Sequence, residues 1–236
     1  MSKPTLVLSL AAFTAFAATS FAVTPSGAPD GAINHLGVAK DYSQLSLSFY
    51  AGIAEKTYDG KPDMDFTRFN AVVGYNLNRW LSVYGLVGTM EQKVKIGGFS
   101  ATDDSAIFGA GVWAGLIDVD QLSFFDGVDR YTLSAGAEIS YADFDSGTWT
   151  SLDAFLMFEV QGDVNRQSFI FPRTLGLYFG PVFSLSLSSD YDTASSNSVG
   201  FGGGVNILFT DDVSLKIGGD VFSDDSTVYG QFSINF

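Results

Sequence analysis

From Tyr42 onward, apolar side chains recur at every second position in runs of about ten residues, the length and period of a strand with one apolar face. Clusters of Asp, Gly, Ser and Asn separate the runs, as turns do between antiparallel strands. The first run, 44–53, sets Leu45, Leu47, Phe49, Ala51 and Ile53 against Gln44, Ser46, Ser48, Tyr50 and Gly52. The second, about 65–77, sets Phe69, Ala71, Val73, Tyr75 and Leu77 against Arg68, Asn70, Val72, Gly74 and Asn76. In the third, 80–95, Leu81, Val83 and Val87 compete with Trp80, Tyr84 and Leu86, and its faces stay unassigned. The fourth (about 105–117), fifth (130–141) and sixth (149–161) alternate cleanly. The seventh opposes Leu175, Leu177, Phe179, Phe183, Leu185 and Leu187 to Gly176, Gly180, Ser184, Ser186 and Ser188. Pro181 lies inside it; lacking an amide donor, it predicts a bulge or a strained register there. Runs at 199–209, 213–222 and 227–236 complete ten. An even count puts both ends of a closed sheet on one side; eight or twelve strands are the alternatives.

Alternation does not say which face is enclosed. Three features turn the apolar face outward. Most runs exceed the roughly 9–11 residues that cross a bilayer at a tilt. The opposite face is rich in Gly and Ser, too small for a hydrated exterior but suited to a crowded centre. The start has the form of a secretory signal, with Lys3, an apolar stretch from Leu6 to Ala18, and Ser20-Phe21-Ala22 as a cleavage site, Ala15-Phe16-Ala17 being a rival. The division is therefore 1–22 signal peptide, 23–41 lead-in with Pro25, Gly27, Pro29 and Gly31, and 42–236 barrel. No later segment has 18 uninterrupted apolar residues. The expected fold is all-β: an antiparallel up-and-down transmembrane β-barrel. Only 16% of residues are charged while 15% are aromatic, which suits a surface that meets lipid. A balance of 12 Lys+Arg to 26 Asp+Glu disfavours nucleic acid, whose phosphates need basic clusters. The absence of cysteine removes disulfides and thiolate chemistry.

The segments Gly109-Ala-Gly-Val-Trp-Ala-Gly115 and Gly200-Phe-Gly-Gly-Gly-Val205, with the closing Phe232-Ser-Ile-Asn-Phe236, resemble the small Gram-negative outer-membrane β-barrel superfamily, the OmpA, OmpX and Opa-like group. The resemblance covers about 42–236 and lies in rhythm, glycine-rich strands and the aromatic end. It implies secretion to the periplasm, insertion in the outer membrane, and a monomer in contact with outer-membrane lipids and lipopolysaccharide. Phe232, Ile234 and Phe236 would be the signal read by the barrel-assembly machinery. No motif of an activity comes with it, and the chain has no room for a peptidoglycan-binding domain after the barrel.

With both ends periplasmic, the turns at Asn78-Arg79 and 210–212 are inner and short, while 55–64, 96–104 and 189–197 are outer and longer. The long inner stretches 118–129 and 162–173 and the short outer turns near Ser146 and 223–226 depart from that asymmetry. Carboxylates gather at the outer turns: Asp59, Asp63, Asp65; Asp103, Asp104; Asp143, Asp145; Asp190, Asp192; Asp224, Asp225. None has EF-hand spacing, so no metal site is assigned, only loose bridging of divalent cations to lipopolysaccharide phosphates. The run Gly200 to Gly204 lacks the Lys-Ser/Thr ending of a phosphate loop. His35, the only histidine, precedes the first strand and would be periplasmic, so a surface or tail histidine is expected there in preference to a base at an outer rim. No catalytic residue and no cofactor are expected. Arg68, Glu138, Asp153, Glu159, Lys216 and Asp220 take the inward parity, where charges pair or line water. The expected role is structural or surface-interacting, with a filled polar interior. The alternatives are a narrow, weakly cation-preferring pore and a soluble periplasmic lipocalin-like carrier.

Overall fold

The computed structural model describes residues 45–56, 63–78, 80–96, 99–120, 130–145, 147–164, 172–189, 197–210, 212–222 and 225–236. The signal peptide, the lead-in, His35 and the acidic residues Asp59, Asp190, Asp192 and Asp224 lie outside the described residues. Ten strands are described: β1 Leu45–Lys56, β2 Asp63–Asn78, β3 Leu81–Ile96, β4 Phe99–Asp120, β5 Arg130–Phe144, β6 Gly147–Asp163, β7 Thr174–Ser189, β8 Asn197–Leu208, β9 Val213–Val221 and β10 Asp225–Asn235. Each pairs antiparallel with its sequence neighbours, and β10 pairs with β1, closing a barrel. The Phe236 amide donates to the Leu45 carbonyl at 2.9 Å, so the seam is bonded to its last residue. Closure leaves no unpaired edge.

The apolar rows face out. Phe49, Ile53, Phe69, Val73, Phe108, Leu177, Phe201 and Val228 are each about half exposed, while Ser48, Asn70, Ser140, Ser184 and Ser233 are buried. On the outer face Tyr131, Phe158, Phe179 and Phe201 form a continuous ladder of rings across β5 to β8, with centroids 5.5–6.3 Å apart. β3, unassigned from its pattern, turns Leu81, Val83 and Val87 outward and Ser82, Tyr84, Leu86, Met90 and Gln92 inward. Its ambiguity has a physical cause: Leu86 and Met90 join an apolar cluster inside the barrel, so both of its faces are greasy.

Two expectations are corrected. Pro181 makes no bulge. It pairs with Phe201 on β8 in an unbroken register, and toward β6 the partners Phe155↔Val182 and Phe158↔Phe179 keep one register on either side of it. The ladder to β6 is nevertheless interrupted beside Pro181, with no pairing at Leu156 and Met157, and the place of a Cβ on Gly180 is taken by the Leu156 carbonyl. The register shifts that occur are at Asn76/Asn78, Gly115/Ile117 and Thr150/Ser151, all near strand ends. The segment 96–104, expected as an outer loop, is mostly strand, since β4 begins at Phe99 and pairs Ile96↔Phe99. Asp103 and Asp104 therefore sit in β4, opposite Gln92 and Glu91. The β2–β4 wall is thus tall, and above the apolar band its outer face carries Thr67, Glu91, Lys93 and an Asp65–Lys95 ion pair at 2.6 Å. The short turns at the opposite end form as expected. Asn78 Oδ1 accepts from the Trp80 amide at 2.8 Å, and Phe209 N donates to Val213 O at 3.0 Å.

Gly180→Ala should destabilise the barrel by about 1–3 kcal/mol, because the added methyl meets backbone that cannot step aside. Gly85→Ala is the control: nothing lies nearer than 3.9 Å to its Cβ position. Urea unfolding followed by tryptophan fluorescence checks the pair; equal midpoints for the two variants would contradict the close approach.

Candidate functional site

The interior is the place where this chain concentrates chemistry, and its walls differ. Along β2 to β6, inward positions carry Phe66, Val72, Tyr84, Leu86, Met90, Ile107, Trp113, Ala142, Phe144 and Trp149, all buried in one apolar cluster with Ala54 of β1. A lumen of Gly, Ser and paired charges was expected, so this is a correction. A ring of ten strands is too wide for small side chains alone to fill, and voids forfeit packing contacts.

Next to that cluster lies the ionic centre. Arg68 on β2 and Glu138 on β5 are 2% and 0% exposed, and Arg68 Nη2 donates to Glu138 Oε1 at 2.7 Å. Arg68 Nη2 also donates to Ser140 Oγ at 3.2 Å. Tyr84 Oη donates to Glu138 Oε2 at 3.2 Å, and Ser140 Oγ to Glu138 Oε1 at 2.9 Å. Asp153, opposite Glu138 on β6, accepts from Ser151 Oγ at 2.9 Å and from Ser184 Oγ. Cross-strand pairing thus sets two carboxylates side by side, one held by a guanidinium and the other by two hydroxyls.

The other three charges named from the sequence are Glu159, Lys216 and Asp220. Glu159 Oε1 accepts from Gln161 Nε2 at 3.0 Å and Asn206 Nδ2 at 3.1 Å. Lys216 places Nζ 5.1 Å from the centre of the Tyr178 ring. Asp220 is buried against Gly202, whose Cβ position its Oδ1 fills. A rim pair was not anticipated: Arg130 donates from Nε and Nη2 to Asp118 Oδ1 and Oδ2 at 2.8 and 2.7 Å. Arg130 opens β5 on the parity opposite Tyr131, and that parity was the available signal.

The largest feature missed is a bar of three tyrosines. Tyr178 starts on β7, and a Cβ on Gly204 of β8 would lie 2.5 Å from its Oη. The Cβ position of Gly218 on β9 is likewise against that oxygen. Past these two glycines Tyr178 Oη donates to Tyr229 Oη on β10 at 3.0 Å. Tyr229 in turn stacks on Tyr50 of β1, with centroids 5.9 Å apart. All three are buried. Tyrosines on the Gly/Ser parity were legible; which glycines they would cover was not.

On the outer face, a groove of about 460 Å³ is lined by Thr67, Phe69, Thr89, Glu91, Asp104 and Ala106, where the apolar wall gives way to a polar one. Among the described residues, no three His, Cys, Asp or Glu side chains stand close enough to hold a metal ion.

The Arg68–Glu138 pair gives a direct test. Arg68→Met should cost about 3–5 kcal/mol, since it strands a buried carboxylate, whereas Arg68→Met with Glu138→Leu should recover most of that loss. Unfolding midpoints of the single and double variants measure it. Equal losses in both would mean the pair is not what the two residues contribute.

No family model matches the chain, and no curated protein matches it. Among solved structures it is similar to the transport unit of the autotransporter AIDA-I from Escherichia coli, at 9% identity and TM-score 0.42, covering 89% of this chain and 99% of that one. It is similar also to an outer-membrane channel from Pseudomonas putida F1, at 11% identity and TM-score 0.44, covering 91% and 100%. A third is the translocator domain of the autotransporter NalP from Neisseria meningitidis, at 9% identity and TM-score 0.39, covering 86% and 92%. Likenesses this loose assign no activity to the chain.

Proposed function

We propose that this chain is a small outer-membrane β-barrel whose role is structural or surface-interacting, with a filled lumen and no enzymatic activity. One observation carries the reading: the barrel is inside out. Leu177, Phe201, Ile217 and Val228 point away from the centre, while Arg68, Glu138, Asp153 and Asp220 are enclosed. In water that arrangement forfeits the hydrophobic term on every strand; in hydrocarbon the same wall is solvated, and the closed ladder satisfies each backbone group. A lipocalin-like carrier would need its apolar rows turned inward. In this setting the wall meets outer-membrane lipids and lipopolysaccharide, and Phe232, Ile234 and Phe236 on the outer face of β10 act as the signal for the assembly machinery. The protein works as a monomer whose acidic outer segments meet the environment.

A second reading, a narrow pore preferring cations, draws on four inward carboxylates against two inward bases among Arg68, Glu138, Asp153, Glu159, Lys216 and Asp220. The plug is favoured because the apolar cluster against β2–β6 and the three tyrosines fill much of the lumen with buried side chains.

Two measurements test this. The refolded protein in a planar bilayer should give no resolved conductance steps; steady cation-selective steps would replace the plug with the pore. Val73→Arg, on the outward face of β2, should destabilise the barrel in lipid vesicles by about 2–4 kcal/mol, the cost of a charge near a bilayer midplane. Free solubility of the mature chain without detergent would overturn the membrane reading.

A further inference from the structure

The β4 strand outruns one of its neighbours. It pairs with β3 in one register from Ile96↔Phe99 to Leu81↔Ala114, whereas its ladder to β5 starts only at Ile107↔Ala142. Ser105 closes that second ladder: its Oγ donates to the Asp143 carbonyl at 2.8 Å and accepts from the Asp143 amide at 2.9 Å. Just past that point β5 turns back into β6 through Phe144↔Gly147. Over 99–104, then, β4 has a strand on one side and, among the described residues, none on the other. Ser100, Ala101, Thr102 and Asp104 are exposed there. Ala101 has the inward parity and is exposed all the same, so this stretch stands clear of the packed lumen.

An uncovered strand edge presents a row of backbone amides and carbonyls with which another extended chain can pair. Folded proteins guard such edges with proline, bulges or charge. Over 99–106 there is no proline, and the ladder to β3 has no bulge. The guard that remains is charge. Asp103 and Asp104 repel a second copy of the same edge, and they bias it toward a basic strand. Asp104 faces outward directly opposite Glu91 on β3. Like charges so placed cost stability. Among the described residues neither carboxylate has an ion-pair partner, Lys93 one rung higher included. Both line the groove of about 460 Å³, together with Thr67, Phe69, Thr89 and Ala106. A groove with a hydrocarbon side and two carboxylates fits a lysine, whose long apolar stem ends in an ammonium.

We propose that the uncovered edge of β4 is a docking site for an extended, lysine-rich strand of another protein, which adds to the sheet beside 100–104 and lays a lysine in the groove against Glu91 and Asp104. This rests on the surface-interacting role, with this end of the barrel outside the cell, and gives that role a partner of defined chemistry. In strand addition the backbone ladder supplies affinity, and pockets for alternate side chains supply selectivity. Residues of the added strand that stand beside Thr102 and Asp104 share their outer face, because successive side chains alternate. Lysine at every second position therefore matches the acidic side of the edge.

Fluorescence anisotropy tests the edge, with the refolded barrel in detergent micelles and a labelled short peptide of alternating lysine and threonine. The peptide should bind saturably. It should bind at least tenfold more weakly to the double variant Glu91→Gln, Asp104→Asn; both side chains are exposed, and heat-modifiable migration on a gel checks that this barrel folds. Two further peptides carry N-methyl groups on alternate amides, one set each. Only one set of amides faces the neighbour of a paired strand, so one of these peptides should bind at least tenfold more weakly than the other. Equal binding of the two would overturn strand addition in favour of a plain charge patch. Absence of saturable binding by the unmethylated peptide would overturn the docking site altogether. A dimer of the barrel in detergent that the peptide dissociates would assign the edge to a second copy, and would overturn it likewise. Should protease reach this end of the barrel in broken cells but not in intact ones, the surface role falls while the peptide result stands, so the two failures are distinguishable.

Discussion

Closure of the hydrogen-bonded ring is the constraint from which the rest of this molecule follows. Once β10 bonds β1 through to the Phe236 amide, every strand has two partners, and the period of two divides each side-chain row between an outside and an enclosed inside. The sequence places its apolar rows outside. The inner row must then fill a space of fixed width, and large buried side chains such as Arg68, Met90, Tyr178 and Trp149 help to fill it. The barrel is held together at its wall by backbone bonds and at its centre by a few long side chains.

Those long side chains are distributed by chemistry. Hydrocarbon from β2 to β6 packs as one cluster, and the buried ion pair sits beside it where Tyr84 and Ser140 can complete the shell of Glu138. A buried charge without such a shell is expensive, whereas a shared one is close to neutral in stability. Asp153 shows the same logic with hydroxyls: β6 and β7 bring Ser151 and Ser184 to it, one from its own strand and one from across the ladder. The pairing register therefore builds the network, and a slip of one residue would send all of these groups to the apolar face.

Most of the wall was legible from alternation, because burial on one side only leaves a strict two-residue rhythm. Strand count, closure and the outward rows of β1, β2 and β7 followed from that rhythm. It failed where both faces are apolar, as at Leu86 and Met90 on β3, since periodicity cannot then name a side. At Pro181 it was half right: the missing amide goes with an interrupted ladder to β6, with no pairing at Leu156 and Met157, but there is no bulge and the register is kept. The β3–β4 turn was misplaced because Asp103 and Asp104 look like loop residues; in a strand that rises past the apolar band they need no loop. For the interior, parity named Arg68, Glu138, Asp153, Glu159, Lys216 and Asp220 as inward, but pairing across the lumen depends on strand order and stagger, which no local pattern encodes.

The tyrosine bar shows why composition alone misjudged the centre. Glycines on β8 and β9 suggest a lumen of small side chains. Each inward glycine, however, is an opening for a larger neighbour: Gly204 and Gly218 are occupied by Tyr178, Gly202 by Asp220 and Gly52 by Tyr50. Small and large positions are complementary halves of one packing solution, as they are in any interior packed near crystal density. The glycine-rich strands mark where long side chains come to rest.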